Sequence, residues 1–172
     1  LLIRVLHPKK AKAQDVIKIE NPQSAYKDKV FLLFLVSMVL FGIIFLQYFS
    51  TIPLYYKDVH TLTEFEIGLL LGLNGFFIFV FEMPLIKWLE NSKYKKTSLI
   101  LFGAVLTAGS FLVLNMTSWV GILIVGMLLM TIGEMIAFPF SNAFTMDRAK
   151  KGNQGVYIAL YSISFSIAHI FG

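Results

Sequence analysis

The sequence predicts an all-α fold, a polytopic bundle of transmembrane helices, and three observations support it. Of the 172 residues, 57% are hydrophobic and only 15% are charged, whereas soluble domains carry about 25% charged residues. The mean hydropathy is +0.74. Finally, the chain contains five apolar segments close to the roughly 20 residues that a membrane-spanning helix needs. Because there is no cysteine, disulfides, thiolate metal ligands and thiol nucleophiles are excluded.

The predicted spans are called segments A to E in chain order. They are segment A (Val30 to Tyr56), segment B (Glu64 to Leu89), segment C (Thr97 to Leu114), segment D (Trp119 to Phe144) and segment E, which begins near Gln154 and is cut off. Residues 1–29 are predicted to be a basic linker, because Pro8 and Pro22 interrupt any continuous helix there. Residues 1–6 (LLIRVL) are predicted to be the tail of a preceding helix. Residues 30–172 are predicted to be a transmembrane half-bundle of a longer protein, truncated in its fifth span.

Basic residues fall on every second connection between the spans. Residues 1–29 have an excess of Lys and Arg, the B–C loop reads NSKYKK and the D–E loop reads DRAKKG, whereas the A–B loop is acidic on balance. Basic loops mark the cytoplasmic side. The pattern therefore predicts a multi-pass protein of the cell (inner or plasma) membrane with residues 1–29 in the cytoplasm. The basic residues behind the net charge of +5 are therefore interpreted as topology signals that lie beside anionic lipid headgroups, and they do not indicate a nucleic-acid partner.

The start of segment B carries two local signals. Thr63-Glu64-Phe65-Glu66 is a capping box, in which the Thr63 hydroxyl and the Glu66 carboxylate satisfy the first free amides of a helix. Gly68 and Gly72 form a GxxxG pattern, followed by Gly75, which predicts close approach of a neighbouring helix. The alternative is that these glycines lie in a lipid-facing helix, where Gly is also common.

Four stretches carry a family resemblance. They are LTEFEIGLLLGLNG (residues 62–75), PLIKWLENSKYKK (84–96), GEMIAFPFSNAF (133–144) and DRAKKGNQGVYIALYS (147–162). With the basic linker that precedes segment A, they resemble the C-terminal half of a major facilitator superfamily transporter, in particular bacterial drug-exporter-like members. The resemblance implies that segments A to E are the seventh to eleventh of twelve helices, and that an N-terminal half of the same transporter is their partner.

The resemblance also implies a gating loop and a cavity. Lys95 and Lys96 match the basic end of the short loop that recurs between the second and third helices of each half. Glu90 or Asn91 lies near its acidic position, although the expected glycines are missing. The first helix of each three-helix unit lines the central cavity in this family. Segments A and D would then line it, and each carries a polar residue followed by a proline that can bend the helix. These pairs are Gln47 with Pro53 and Glu134 with Pro139.

Glu134 is the main candidate for a functional residue. It lies near the middle of segment D with no Lys or Arg for more than ten positions on either side. A carboxylate there costs roughly 2.5–3.5 kcal/mol on insertion scales, so acidic residues inside spans default to a functional hypothesis. Such a group can take up and release a proton or pair with a cationic substrate. Alternatively, it is a protonated or hydrogen-bonded group that ties two helices together.

Further proton or substrate candidates follow from polar residues in apolar spans. Glu82 is a second such site, or else a structural group that pairs with Lys87 or caps backbone near Pro84. Three stripes should face protein or water, since lipid cannot satisfy them. They are Gln47, Thr51 and Tyr55 in segment A, Glu134 and Asn142 in segment D, and Ser162, Ser166 and His169 in segment E. His169 is either a proton relay or a packed, interfacial group.

The sequence favours a secondary active transporter that exports small hydrophobic or cationic molecules by proton-coupled alternating access. Its predicted partners are the small-molecule substrate, protons and membrane lipid, with no cofactor, no metal site and no nucleic acid. The alternative is a membrane enzyme that uses Glu134 and His169, but the chain has no metalloprotease, nucleophile-elbow or phosphate-binding motif. A membrane scaffold or sensor is disfavoured because the only sizeable polar segment is too short to form a core.

Overall fold

A computed structural model describes residues 24–117, 119–149 and 153–172, so the features predicted within residues 1–23 lie outside the described residues. After a short 3-10 turn at Ala25–Lys27, the described ranges form six helices. These are α1 (Lys29–Ser50), α2 (Ile52–His60), α3 (Glu64–Glu90), α4 (Lys96–Leu114), α5 (Gly121–Arg148) and α6 (Gln154–Phe171). All of them except α2 are long and apolar enough to cross a membrane. The predicted all-α transmembrane bundle is therefore confirmed.

Segment A differs from its prediction, because it consists of two helices. α1 ends at Ser50 and α2 begins at Ile52, with Thr51 between them. Pro53 has no amide hydrogen and cannot donate to the carbonyl four residues earlier, which explains the break. Thr51 keeps helical angles and its amide still donates to the Gln47 carbonyl oxygen, so the chain bends without unwinding. α2 then continues past the predicted end at Tyr56 and stops at His60.

α3 begins as the sequence predicts. The Glu66 amide donates to Thr63 Oγ1 (3.3 Å), and the Thr63 amide donates to Glu66 Oε2 (2.8 Å). Both reciprocal bonds of the capping box are therefore present. α5 starts two residues after the predicted start of segment D and runs on to Arg148, with Pro139 inside it.

α4 and α5 approach each other closely enough for their backbones to be in contact. A Cβ atom added to Gly103 would lie 2.7 Å from the Gly133 carbonyl oxygen and 2.9 Å from the Ala137 amide nitrogen. Only glycine permits this backbone-to-backbone approach. In contrast, a Cβ on Gly68, Gly72 or Gly75 would meet nothing within 4 Å. No helix of the described residues therefore approaches the GxxxG face of α3 closely.

At one end of the bundle, ion pairs connect the start of α1 and the start of α4 to the end of α5. The Arg148 guanidinium at the end of α5 donates to both carboxylate oxygens of Asp28, the residue before α1, at 2.7 and 2.8 Å. Lys96 at the start of α4 pairs with Asp147 of α5. The start of α1, the start of α4 and the end of α5 thus meet at the same end, which is called the basic end below. The opposite end holds α2, the start of α3 and the start of α5.

The buried Asp28 carboxylate is held in its charged form. Hydrogen bonds from Arg148 lower the pKa of Asp28 from 3.8 to about 2, outweighing burial, which acts in the opposite direction. The Phe31 amide (3.1 Å) and the Tyr157 hydroxyl (3.2 Å) also donate to this carboxylate. One carboxylate thereby connects α1, α5 and α6.

We expect Asp28→Asn to lower the free energy of unfolding of the full-length protein by on the order of 2 kcal/mol at neutral pH. Since the pKa of Asp28 is lower in the folded chain, its contribution is complete above the ordinary value of 3.8 and is lost as the pH falls through about 2. The difference between wild type and Asp28→Asn in thermal midpoint, measured in detergent, should therefore shrink as the pH is lowered across this window.

A matched control is available at the opposite end. Lys57 and Glu64 form an exposed ion pair at 3.4 Å, and exposed pairs contribute roughly 0–1 kcal/mol. Glu64→Gln should leave the thermal midpoint almost unchanged. If Asp28→Asn lowered the thermal midpoint no more than Glu64→Gln does, the buried ion pair would not stabilise the basic end.

Candidate functional site

Glu134 lies in the middle of α5 with only 7% of its surface exposed. Asn74, in the middle of α3, is also buried, and its side-chain nitrogen donates to Glu134 Oε1 at 2.6 Å. The same nitrogen donates to Thr131 Oγ1 at 2.9 Å. Thr131 lies one turn before Glu134 on α5, and its hydroxyl donates in turn to the Met127 carbonyl oxygen at 2.7 Å. Glu134, Asn74 and Thr131, called the polar cluster below, connect α3 to α5.

Asn74 was not predicted as a site residue. Its signal in the sequence was an amide within the apolar run LLLGLNGFF, which is the same kind of signal that identified Glu134. Because Asn74 lies next to the GxxxG pattern, this part of segment B was interpreted only as a surface for helix packing. The structure instead assigns this part of α3 a polar role, as the donor to the buried carboxylate.

The charge of Glu134 has no basic partner in the described ranges. The ion pairs found there are Lys57–Glu64, Lys96–Asp147 and Arg148–Asp28, all at the ends of the bundle. The other charged group that interacts electrostatically with Glu134 is Glu82, which is also acidic. Buried charges in proteins are paired, metal-bound or neutralised. This carboxylate therefore has the chemistry to bind either a proton or a cation.

Two buried tyrosines lie on the side of Glu134 that faces the opposite end. Tyr48 of α1 is 1% exposed and Tyr56 of α2 is 0% exposed, and both pack in one cluster with Met130 of α5. Tyr48 interacts electrostatically with both Glu134 and Tyr56. Neither hydroxyl makes a hydrogen bond of ordinary geometry in the described structure. An unsatisfied buried polar group costs about 1–3 kcal/mol, so these two hydroxyls are unusual for a purely structural core.

The predicted stripe of segment A forms hydrogen bonds of its own. The Thr51 hydroxyl donates to Gln47 Oε1, and Gln47 Nε2 donates to the Gly172 carbonyl oxygen at 2.8 Å. The Tyr55 hydroxyl donates to the Leu114 carbonyl oxygen at the end of α4, also at 2.8 Å. Gln47 and Thr51 thus meet as their spacing predicts, but the polar group of α1 that interacts with Glu134 is Tyr48, one residue after Gln47.

Other predicted residues lie outside the polar cluster. Asn142 and His169 are exposed, and neither makes a hydrogen bond to Glu134. The pairing of Glu134 with His169 that a membrane enzyme would need is therefore not formed. In the predicted gating loop, Glu90 and Lys95 are exposed at the ends of α3 and α4, whereas Lys96 pairs with Asp147, a residue that sequence analysis did not single out.

An apolar groove of about 490 Å³ lies between α3 and α5 beside the polar cluster. It is lined by Phe77, Phe81, Pro84, Leu85, Trp88, Leu128, Thr131, Ile132 and Met135. Thr131 belongs to both the groove and the polar cluster. An apolar surface with aromatic rings therefore adjoins the buried carboxylate.

A bundle of long apolar helices around a buried carboxylate with neutral donors defines a polytopic membrane protein with an ionisable group in mid-span. The comparisons with known proteins agree: the chain belongs to the Major Facilitator Superfamily, whose family model matches residues 1–172. This confirms the family and the transporter class predicted from the sequence.

One curated relative is similar over most of the chain. It is described as a Na(+), Li(+), K(+)/H(+) antiporter of Planococcus maritimus, and it is 28% identical over 158 residues. The match covers 84% of this chain and 37% of the relative, so the chain spans little more than a third of that protein. No solved structure matches the chain significantly.

Proposed function

We propose that the full-length protein is a secondary active antiporter that exchanges protons for a small cation by alternating access. Glu134 is the group that holds the proton and the cation in turn. The observation that carries this proposal is the burial of Glu134 in mid-span, with Asn74 as its donor and no basic partner in the described ranges.

The hydrogen bonds of the polar cluster suit such an exchange. Oε1 of Glu134 accepts from Asn74, whereas Oε2 accepts no hydrogen bond from the described residues. A proton or a cation can therefore bind at Oε2 without breaking the bond to Asn74. Because one carboxylate cannot hold both tightly, arrival of the cation releases the proton, and this competition couples the two fluxes.

A small monovalent cation is the substrate that the site chemistry favours. The polar cluster supplies carboxylate, amide and hydroxyl oxygens, and hard cations prefer oxygen ligands. The relative described as a Na(+), Li(+), K(+)/H(+) antiporter supports the same class of substrate. Sodium, lithium and potassium are therefore the first ions to test.

A lipophilic cation is the second candidate, favoured by the apolar groove. Phe77, Phe81 and Trp88 provide aromatic faces there, and Thr131 connects the groove to the polar cluster. A cationic drug could place its rings on these side chains and its charge near Glu134. This candidate agrees with the resemblance to drug exporters.

The orientation follows from the basic end, which we place in the cytoplasm of the cell membrane by the positive-inside rule. Residues 1–29 then form a cytoplasmic linker to the N-terminal half of the transporter. The loop with Glu90, Lys95 and Lys96 lies on the same side, where it would contribute to gating. Export of the cation is driven by proton entry in this arrangement.

Transport is tested with inside-out vesicles that contain the full-length protein and maintain a pH gradient reported by an acridine dye. Addition of Na⁺, Li⁺ or K⁺ is expected to dissipate the gradient, because each cation that enters the vesicle drives a proton out. A lipophilic cationic dye is added in a parallel assay. If none of these cations dissipated the gradient, beyond what vesicles without the protein show, the antiporter proposal would be wrong.

A further inference from the structure

The hydroxyls of Tyr48 and Tyr56 are buried polar groups that the polar cluster does not use. Both side chains are almost fully buried, and neither hydroxyl makes a hydrogen bond of ordinary geometry in the described structure, although the two hydroxyls are close enough to interact with each other. Their rings already fill the core next to Met130, Leu114 and Leu123. Phenylalanine would supply the same packing without an unsatisfied group. The hydroxyls therefore point to a role other than packing.

These hydroxyls lie in order between Glu134 and the opposite end of the bundle. Tyr48 is near the end of α1 and interacts electrostatically with Glu134 on one side and Tyr56 on the other. Tyr56 lies in α2, beyond the bend at Thr51, and interacts with Tyr55. The ring of Tyr55 lies 5.4 Å from that of His60, whose Nε2 is a further buried atom without a partner. Polar groups thus continue from mid-span to the last residue of α2.

We propose that Tyr48 and Tyr56 form a proton relay between Glu134 and the opposite end of the bundle, a role that rests on the proposed antiport function. In the direction that drives export, a proton from external water or His60 binds the Tyr56 oxygen as the proton of Tyr56 passes to the Tyr48 oxygen and the proton of Tyr48 passes to the Glu134 carboxylate. Each hydroxyl breaks one O–H bond and forms another, so no phenolate accumulates and one proton is transferred overall.

The charged and titratable groups around this path are compatible with proton transfer to Glu134. Tyr48 of α1 and Glu82 of α3 both interact electrostatically with the Glu134 carboxylate of α5. The Tyr55 hydroxyl is already used as a donor to Leu114, so it helps to fix the ring beside His60 rather than to carry protons. No Lys or Arg in the described ranges forms an ion pair with Glu134 that would hold it charged and block proton return.

The relay is tested in proteoliposomes that contain the full-length protein, with sodium as the probe. Two rates are measured for each variant. Exchange of external Na⁺ for internal H⁺, followed with a trapped pH dye, requires both the cation site and the proton path. Equilibrium exchange of radioactive Na⁺ for Na⁺ requires binding and alternating access but no proton transfer.

We expect Tyr48→Phe and Tyr56→Phe to slow Na⁺/H⁺ exchange by roughly tenfold or more and to leave Na⁺/Na⁺ exchange at the wild-type rate. Tyr161→Phe is the matched control. It also removes a buried hydroxyl, one bonded to Ser141 at 2.7 Å, but lies on α6, away from the path. Both rates should be unchanged in that variant. Thermal midpoints measured for all three variants identify any that fail to fold, and either tyrosine of the path suffices for the test.

The outcomes separate the relay from the antiport function. Wild-type rates of Na⁺/H⁺ exchange in both Tyr48→Phe and Tyr56→Phe would overturn the relay and leave the antiporter in place. An equal loss of both exchange rates would also overturn it, since the hydroxyls would then serve structure. If the wild type itself moved no protons in response to Na⁺, Li⁺ or K⁺, the antiport function would fail, and the relay with it.

Discussion

Glu134→Gln is expected to abolish proton-coupled cation transport by the full-length protein without disturbing its fold. The substitution keeps the shape of the side chain, and the new amide oxygen can still accept the hydrogen bond from Asn74. The variant loses the ability to bind and release a proton at this position. We expect the rate at which an added cation dissipates the pH gradient of inside-out vesicles to fall by at least about a hundredfold, towards the rate in vesicles without the protein. A loss of this size is typical when an essential proton-transfer group is removed.

Two measurements accompany this prediction. The thermal midpoint of Glu134→Gln should be equal to or above that of wild type, because the variant buries no ionisable group. Glu64→Gln makes the same chemical change at an exposed position on α3 and should transport like wild type. If Glu134→Gln transported at the wild-type rate, with equal expression, Glu134 would have only a structural role as a hydrogen-bonding link between α3 and α5.

The second large effect is expected at the contact between α4 and α5. Gly103→Ala places a methyl group 2.7 Å from the Gly133 carbonyl oxygen, the residue just before Glu134. Neither backbone can move away cheaply, and overpacking of this kind costs typically about 1–3 kcal/mol. We therefore expect a thermal midpoint lowered by several degrees, and slower transport because α5 is displaced at the polar cluster.

Gly109→Ala is the matched control for this prediction. Gly109 lies on the same helix, and a Cβ there would meet nothing within 4 Å. That variant should be as stable as wild type or slightly more so, because alanine restricts the unfolded chain. Equal midpoints for Gly103→Ala and Gly109→Ala would show that α4 and α5 do not approach as closely as described.

The fold was largely predictable because its signals are local. Hydropathy over about 20 residues identifies spans, and the capping box at Thr63 lies within four residues of sequence. The break of segment A into two helices was harder to predict from the sequence. Pro53 is visible in the sequence, but a proline inside a span can also leave the helix continuous, as Pro84 does in α3 and Pro139 in α5.

The site was predictable only in part, because its contacts connect distant positions. An isolated carboxylate in an apolar run identified Glu134, yet its partner Asn74 is 60 residues away, and Asp28 and Arg148 are 120 residues apart. The helix face that each residue occupies, and which helices become neighbours, are set by packing. The glycines illustrate this: α3 carries the GxxxG pattern, whereas the backbone contact forms between Gly103 and Gly133 of α4 and α5.

The most direct test of the account is proton release on cation binding to the purified full-length protein. The protein is held in detergent in a lightly buffered solution with a pH dye, and Na⁺ is added, with Li⁺ and K⁺ in parallel. Wild type is expected to release a proton as the cation binds at Glu134, and Glu134→Gln is expected to release none. Equal proton release by wild type and Glu134→Gln would contradict this expectation, because another group would then exchange the proton for the cation.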